Sequence, residues 1–428
     1  MELLDLVKKG LRVKGFIYVS VGNIANGGLG FLFFFIAARI LGVESYGVIS
    51  YNISAGFLGA TLSVLGLTTA ITTFYPKEKN IDFVRQSATF TLIADAVYSI
   101  VILAAVLFFR APLLPAILVL FGGTAYNISI SFLLGRQEYK QYAYTILWMR
   151  VGQCVAVALF YLLVAFTGWF FLQLEEGVLF LYGLAYLAAG YRYFRLLNIN
   201  FSFGEVYAKW RFWLPASASN IFAASIGNID KIVIGALFGM SALGNYHLAF
   251  QFLMGLMIIP TSLFSFLLPE KSGGKVRREV EVLGIAAAGL TSAAGIILVP
   301  YVIKIFFPDF GGSVGVIQML SLSVIPASVA YIKVSELYSK EKANTAMLSY
   351  AAMFVVYIAG IALLGGWLQA MGFAASYVIG QTVQAITAFL FSSNKWAEWE
   401  AKRRKNTSRE EKPAVEGPSY HPPGEVVG

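Results

Sequence analysis

The sequence predicts an all-α membrane protein that crosses the bilayer about twelve times, in two six-helix bundles. Three observations carry that expectation. Hydrophobic residues make up 58% of the 428-residue chain and charged residues only 13%, with a mean hydropathy of +0.71. A soluble domain runs nearer roughly 45–50% apolar and 25% charged. The apolar residues also gather into runs long enough to span a bilayer core, which takes about 20 helical residues for roughly 30 Å. Finally, the Lys and Arg between those runs fall on alternate turns.

The runs lie at about 16–38, 47–71, 86–108, 113–134, 143–167, 177–194, 212–238, 243–268, 282–303, 314–335, 345–366 and 369–391. The first follows Lys8, Lys9, Arg12 and Lys14, a positive flank like that of a signal peptide. Its apolar stretch is too long for one, since a signal core has about 7–15 residues, so a retained helix is expected. The fifth and sixth runs are parted at Glu175 and Glu176. Unparted they would make one helix from 143 to 194, about 78 Å long at 1.5 Å per residue. The tenth and eleventh meet at the polar turn Ser339-Lys340-Glu341-Lys342.

Charge placement supports the count. With the N-terminus in the cytoplasm, 26 of the 32 Lys and Arg fall in inside segments, and only Arg39, Arg110 and Lys304 fall outside. The remaining three, Arg150, Lys231 and Lys333, sit within apolar runs. Missing or inventing one span would destroy this alternation, which is the positive-inside pattern. Both termini are therefore expected in the cytoplasm, and the chain in the cytoplasmic membrane. The net charge of +9 is topological; it forms no solvated basic face, so no nucleic-acid partner is expected. Cys154 is the sole cysteine and His247 and His421 are the two histidines. That excludes a disulfide framework and a multi-cysteine or His-rich metal site, and no cofactor or metal is expected. Beyond about 393 the composition turns to Lys402-Arg403-Arg404-Lys405 and scattered Pro, Glu and Gly, a solvated tail at 393–428.

A shift of 197 residues brings the chain onto itself. Ser20 meets Ser217, Asn23 meets Asn220, Ile24 meets Ile221, Gly30 meets Gly227, Gly42 meets Gly239 and Gly47 meets Gly244. Two copies of a six-span unit are expected, 1–195 and 196–392. An even number of spans per copy gives both the same orientation, and transport sites lie between such halves.

The stretch Ala38-Arg39-Ile40-Leu41-Gly42-Val43-Glu44-Ser45-Tyr46-Gly47 resembles the first extracytoplasmic turn of Wzx-type polysaccharide and lipid-linked oligosaccharide flippases. So does Ile229-Asp230-Lys231-Ile232-Val233-Ile234-Gly235, followed by Gly244-Asn245-Tyr246. These belong to the multidrug/oligosaccharidyl-lipid/polysaccharide (MOP) exporter superfamily. The resemblance implies a V-shaped pair of bundles around a central cavity that rocks between inward-open and outward-open states. It implies as cargo a polyprenyl-(pyro)phosphate-linked oligosaccharide, with membrane lipids and enzymes of glycan biosynthesis as partners. One departure stands out: the first span has no charge between Gly15 and Ala38. Related lipid II flippases carry cations there, and many proton-coupled drug antiporters an Asp.

A charge at mid-bilayer costs at least about 2.5–3.5 kcal/mol, so each one needs a reason. Lys333 and Glu336, three apart near a helix end, can pair and snorkel. Asp230 and Lys231 are adjacent in the seventh span, about 100° apart around a helix, so they are expected not to face one another, and neither has an ionic partner on its own helix. An interhelical salt bridge and a cavity cation for the cargo phosphate both remain open for Lys231. Arg150, about 10 Å into its span, either snorkels or binds phosphate with its two-pronged donor. Asp95 in the third span is the expected counter-ion for one of these cations. Asn23, Asn26, Asn220, His247 and Gln251 complete the candidate set, as sugar ligands or as interhelical hydrogen bonds.

Two other functions fit part of this pattern. An ion-coupled multidrug antiporter would share the fold but needs an acidic cavity. A membrane glycosyltransferase or polymerase needs a large outside loop, and none here exceeds about a dozen residues by the span count. No Gly-x4-Gly-Lys-Ser/Thr phosphate loop exists, which argues against an ATPase. The protein is expected to be a transporter rather than an enzyme.

Overall fold

A computed structural model describes residues 2–109, 112–167, 174–197, 201–214, 217, 221, 227–272, 278–340 and 342–393. Among these the regular structure is helical throughout, with no strand. The first half comprises α1 (Glu2–Val64), α2 (Leu67–Glu78), α3 (Ile81–Phe109), α4 (Ala116–Gly135), α5 (Tyr139–Thr167), α6 (Leu174–Ala189), α7 (Tyr191–Leu196) and α8 (Gly204–Ala208). The second comprises α9 (Ile229–Phe238), α10 (Met240–Leu256), α11 (Ile258–Ser272), α12 (Arg278–Ile297), α13 (Val299–Phe306), α14 (Ser313–Ser321), α15 (Val324–Ser339), α16 (Ala343–Leu368) and α17 (Ala370–Ser392).

Eight of these stretches are long and apolar enough to cross a membrane, nine if α10 and the first part of α11, bent by 43°, count as one. The difference from twelve has physical causes. The apolar part of α1 runs Val21–Val64, 44 residues, or about 66 Å at helical rise, more than two bilayer cores. It folds back at Gly42 and so holds two spans. The sixth span is split into α6 and the short α7 at Gly190. The seventh lies partly outside the described residues, as does the tail expected at 393–428, of which only Ser393 is described. The split at Glu175 holds: α5 ends at Thr167, and α6 begins at Leu174 with both glutamates in its first turn.

The outer surface is that of a multi-pass membrane protein. Phe108 (82% exposed), Phe166 (85%) and Trp367 (90%) stand free among a belt of exposed Leu, Ile and Val. Water would not tolerate so broad an apolar surface, and a bilayer solvates it.

The 197-residue shift has a counterpart in backbone geometry. Gly42 has φ 74°, ψ 177° and Gly239 has φ 89°, ψ 167°. This region is open essentially to glycine alone. Both residues put the same sharp corner between consecutive spans. Beyond each corner the chains meet across the two halves. A Cβ on Gly47 would collide with the carbonyl oxygen of Met240, and a Cβ on Gly244 with that of Val43. Val43 and Met240 are themselves 197 residues apart, so the two contacts are reciprocal. Absent side chains let two backbones touch, as in small-residue helix crossings in membranes. The second limb of α1 and α10 are joined here, sealed by the fully buried Tyr46 against Phe310 (5.6 Å between ring centroids).

Candidate substrate-binding cavity

Between the halves lies a cavity of about 900 Å³, walled by α1, α4, α5 and α6 on one side and by α9, α10, α11, α15, α16 and α17 on the other. Five of the nine residues singled out from the sequence line it: Arg150, Lys231, Asn26, His247 and Gln251.

Arg150 is held rather than free. Its Nε donates to Asn26 Oδ1 at 2.8 Å and its Nη1 to Gln153 Oε1 at 3.0 Å. The guanidinium lies 5.5 Å from the Tyr186 ring centroid, a cation–π distance. Both acceptors are neutral, so the positive charge stays uncompensated at the wall. Burial to 9% exposure rules out snorkelling to the surface.

Lys231 occupies the opposite wall. Its Nζ lies 3.7 Å from Asp230 Oδ1, donates to the Gly227 carbonyl and stands 4.5 Å from the Phe250 ring centroid. The expectation that Asp230 and Lys231 cannot meet is therefore corrected. They lie in the first turn of α9, which starts at Ile229 after Asn228. There the long Lys stem folds back toward the helix N-terminus, where side chains in a helix already point. The 100° between neighbours constrains Cβ directions, and a four-carbon stem can close the remainder.

Asp230 itself is fully buried behind the wall. Tyr357 and Tyr246 donate to its Oδ2 at 2.8 and 3.2 Å. These tyrosines come from α16 and α10, so the carboxylate ties three helices together and offers little to a ligand. Asp95 is also corrected. It accepts from Thr124 at 2.8 Å between α3 and α4 and is fully buried. It serves neither Arg150, whose donors go to Asn26 and Gln153, nor Lys231, whose ammonium lies against Asp230 and the Gly227 carbonyl. Asn23 accepts from Tyr142 at 2.8 Å, an α1–α5 tie outside the cavity lining. His247 and Gln251 contact each other at 3.1 Å on one face of α10. Asn220 lies outside the described residues. Lys333 and Glu336 pair at 3.1 Å, and Lys340 joins at 2.7 Å, as their spacing implied.

Several lining residues were not singled out beforehand. Tyr126, Tyr182 and Tyr186 surround Arg150, and Asn127 adds an amide. The second half contributes Phe264, Tyr331, Tyr350 and Tyr377 with Met254, Met257, Met347 and Met353. Gln153, buried behind the wall where it holds Arg150, did have a sequence signal: it lies three residues beyond Arg150 on one helix face. Among the described residues, no Asp or Glu lines the cavity. Its lining chemistry is two largely buried cations, of which Lys231 lies against Asp230 behind the wall, with neutral amides, tyrosine hydroxyls, and flexible or aromatic apolar surface.

Comparison with known proteins agrees with this architecture. Residues 12–177 match the family model described as polysaccharide biosynthesis protein. An uncharacterized membrane protein of Methanocaldococcus jannaschii is 24% identical over 301 residues, 61% of this chain and 68% of that one. A lipid II flippase, MurJ, in an inward closed conformation superposes with a TM-score of 0.68 at 11% identity, over 87% of each chain. A multidrug resistance MATE family transporter of the MOP superfamily, inward-facing, gives 0.63 at 13% identity, over 92% of this chain and 96% of that one. The resemblance seen in the turn motifs is borne out: this chain has the helical membrane fold of the MOP superfamily transporters, and its first half carries the polysaccharide biosynthesis protein family match.

Proposed function

We propose that the protein moves a polyprenyl-(pyro)phosphate-linked oligosaccharide across the cytoplasmic membrane, and that Arg150 and Lys231 receive the phosphates. The observation that carries this reading is the cavity's charge: two cations from opposite halves face it, and no carboxylate does among the described residues. A cationic drug would need the reverse. Tyrosines and amides suit the sugar hydroxyls, and the match of residues 12–177 to a polysaccharide biosynthesis family supports a glycan cargo. The pyrophosphate head could not cross hydrocarbon unpaired, since burying an isolated charge costs far more than any single contact returns. Fixed cations in a wet cavity offset part of that cost. Enzymes that build or extend the glycan are the partners this cargo implies.

The test is transport by the purified chain in sealed vesicles. Labelled lipid-pyrophosphate oligosaccharide should cross the bilayer in a protein-dependent manner, and a cationic dye should not be moved against an imposed proton or sodium gradient. Gradient-driven dye movement without movement of the lipid-oligosaccharide would replace this reading with the antiporter one.

Orientation follows from the charge alternation. Reporters fused after Lys79, Lys140, Lys209, Lys275 and Lys342 are expected in the cytoplasm, and those near Glu44, Glu175, Ser241 and Gly365 outside. A cytoplasmic signal near Ser241 would contradict the charge alternation and place the reciprocal glycine contact on the cytoplasmic side.

A further inference from the structure

A second groove lies apart from the central cavity, on the lipid-facing side of α5 and α6. It measures about 560 Å³ and is lined by apolar and small residues, among them Trp148, Gly152 and Ala185, with Arg192 and Gln141 at one end. Its outward direction follows from the helix faces: Arg150, Tyr182 and Tyr186 line the central cavity, whereas Trp148 (68% exposed) and Leu184 point away from it. On α5 the lining runs from Gln141 to Ala156, about 22 Å of helix, somewhat more than the roughly 15 Å of one leaflet's hydrocarbon.

The polar end is cationic and oriented. Arg192 donates to Gln141 Oε1 at 2.9 Å and to Thr145 Oγ1 at 3.4 Å, and its guanidinium lies 4.5 Å from the Tyr191 ring centroid. Arg195 packs on the same ring at 5.3 Å. Both acceptors of Arg192 are neutral, and no carboxylate lines the groove, so the charge is fixed in place and left for an outside anion. An apolar trough one leaflet long, ending in an uncompensated guanidinium at the headgroup level, complements an amphiphile with an anionic head. We infer that this groove is a binding site for one anionic phospholipid of the inner leaflet, its phosphate on Arg192 and an acyl chain along α5 and α6. The inference is independent of the cargo assigned to the central cavity.

Trp148 makes the site observable. The full chain is reconstituted in vesicles of a zwitterionic phospholipid carrying a small fraction of acyl-brominated phosphatidylglycerol or, in parallel, acyl-brominated phosphatidylcholine. Quenching of Trp148 is the fluorescence difference between wild type and Trp148→Phe. The anionic lipid is expected to quench at about fivefold lower mole fraction, the preference one basic residue near an anionic surface provides. Arg192→Gln should erase the preference and Arg192→Lys keep part of it. Gln141→Glu, which places a carboxylate beside the guanidinium, should erase it without removing Arg192. Equal quenching by both lipids in wild type overturns the inference, leaving a groove that takes any acyl chain. So does a preference that survives both Arg192→Gln and Gln141→Glu. Relief of quenching by a polyprenyl phosphate but not by unbrominated phosphatidylglycerol would also overturn it, assigning the groove to the cargo.

Discussion

Arg150→Ala should lower transport of the lipid-linked oligosaccharide about ten- to hundredfold, the worth of a charged hydrogen bond of about 1.5–3 kcal/mol, while leaving the folded protein in the membrane at near-normal abundance. The asymmetry follows from its neighbours. Asn26 at the cavity wall and Gln153 buried behind it are both neutral amides, so removing the guanidinium leaves no buried charge behind. Lys231→Ala should impair transport similarly, but with a second effect. Asp230 would be left fully buried with its Oδ1 facing no cation, and breaking such a pair costs about 3–5 kcal/mol. Abundance should therefore fall, and Asp230→Asn in the same chain should restore it. If that double variant both accumulates and transports normally, Lys231 is half of a structural ion pair and carries no cargo. Lys231→Arg should retain partial transport, because the charge survives.

The second large effect is expected at the reciprocal glycine contact. Gly47→Val or Gly244→Val would push a side chain into the Met240 or Val43 carbonyl. Overpacking of this kind costs about 1–3 kcal/mol, and it acts only on the state in which the two backbones touch. A shift of that size moves a two-state equilibrium about 5–150-fold. The cavity should therefore open on the side it now seals, and transport should fall because the closed state can no longer form. A cysteine placed at Gln251, on a Cys154→Ser background, reports the change. It should be inert to a membrane-impermeant thiol reagent added outside the wild-type protein and reactive in the glycine variants. Normal transport by Gly47→Val, with Gln251→Cys still protected, would show that the contact does not gate the cavity.

The parts of this structure that depend on distance along the chain were legible in the sequence. The apolar runs and the Gly42/Gly239 corners follow from counting residues. What counting cannot supply is which face of a helix meets which neighbour. Asp95 was matched with a cation because both were charged and central, yet its helix presents it to Thr124. Arg150 was expected to snorkel or to bind phosphate, and its partner Asn26 lies 124 residues away. The Asp230 network needed Tyr246 and Tyr357 from two other helices, residues that read as ordinary aromatics in an aromatic-rich chain. Breaks near Met257, Leu298 and Leu322 within apolar runs also escape a hydropathy reading, which measures length and not straightness.

The central claim is that two fixed cations in the cavity recognise the phosphates of the cargo. Equilibrium binding to the purified protein tests it most directly, with three carriers bearing the same oligosaccharide: a pyrophosphate-linked lipid, a monophosphate-linked lipid and an uncharged lipid. Affinity is predicted to fall in that order for the wild type. In Arg150→Gln combined with Lys231→Gln and Asp230→Asn, the three carriers should bind alike. Equal binding of charged and uncharged carriers by the wild type, or an undiminished preference for pyrophosphate in the triple variant, would contradict it.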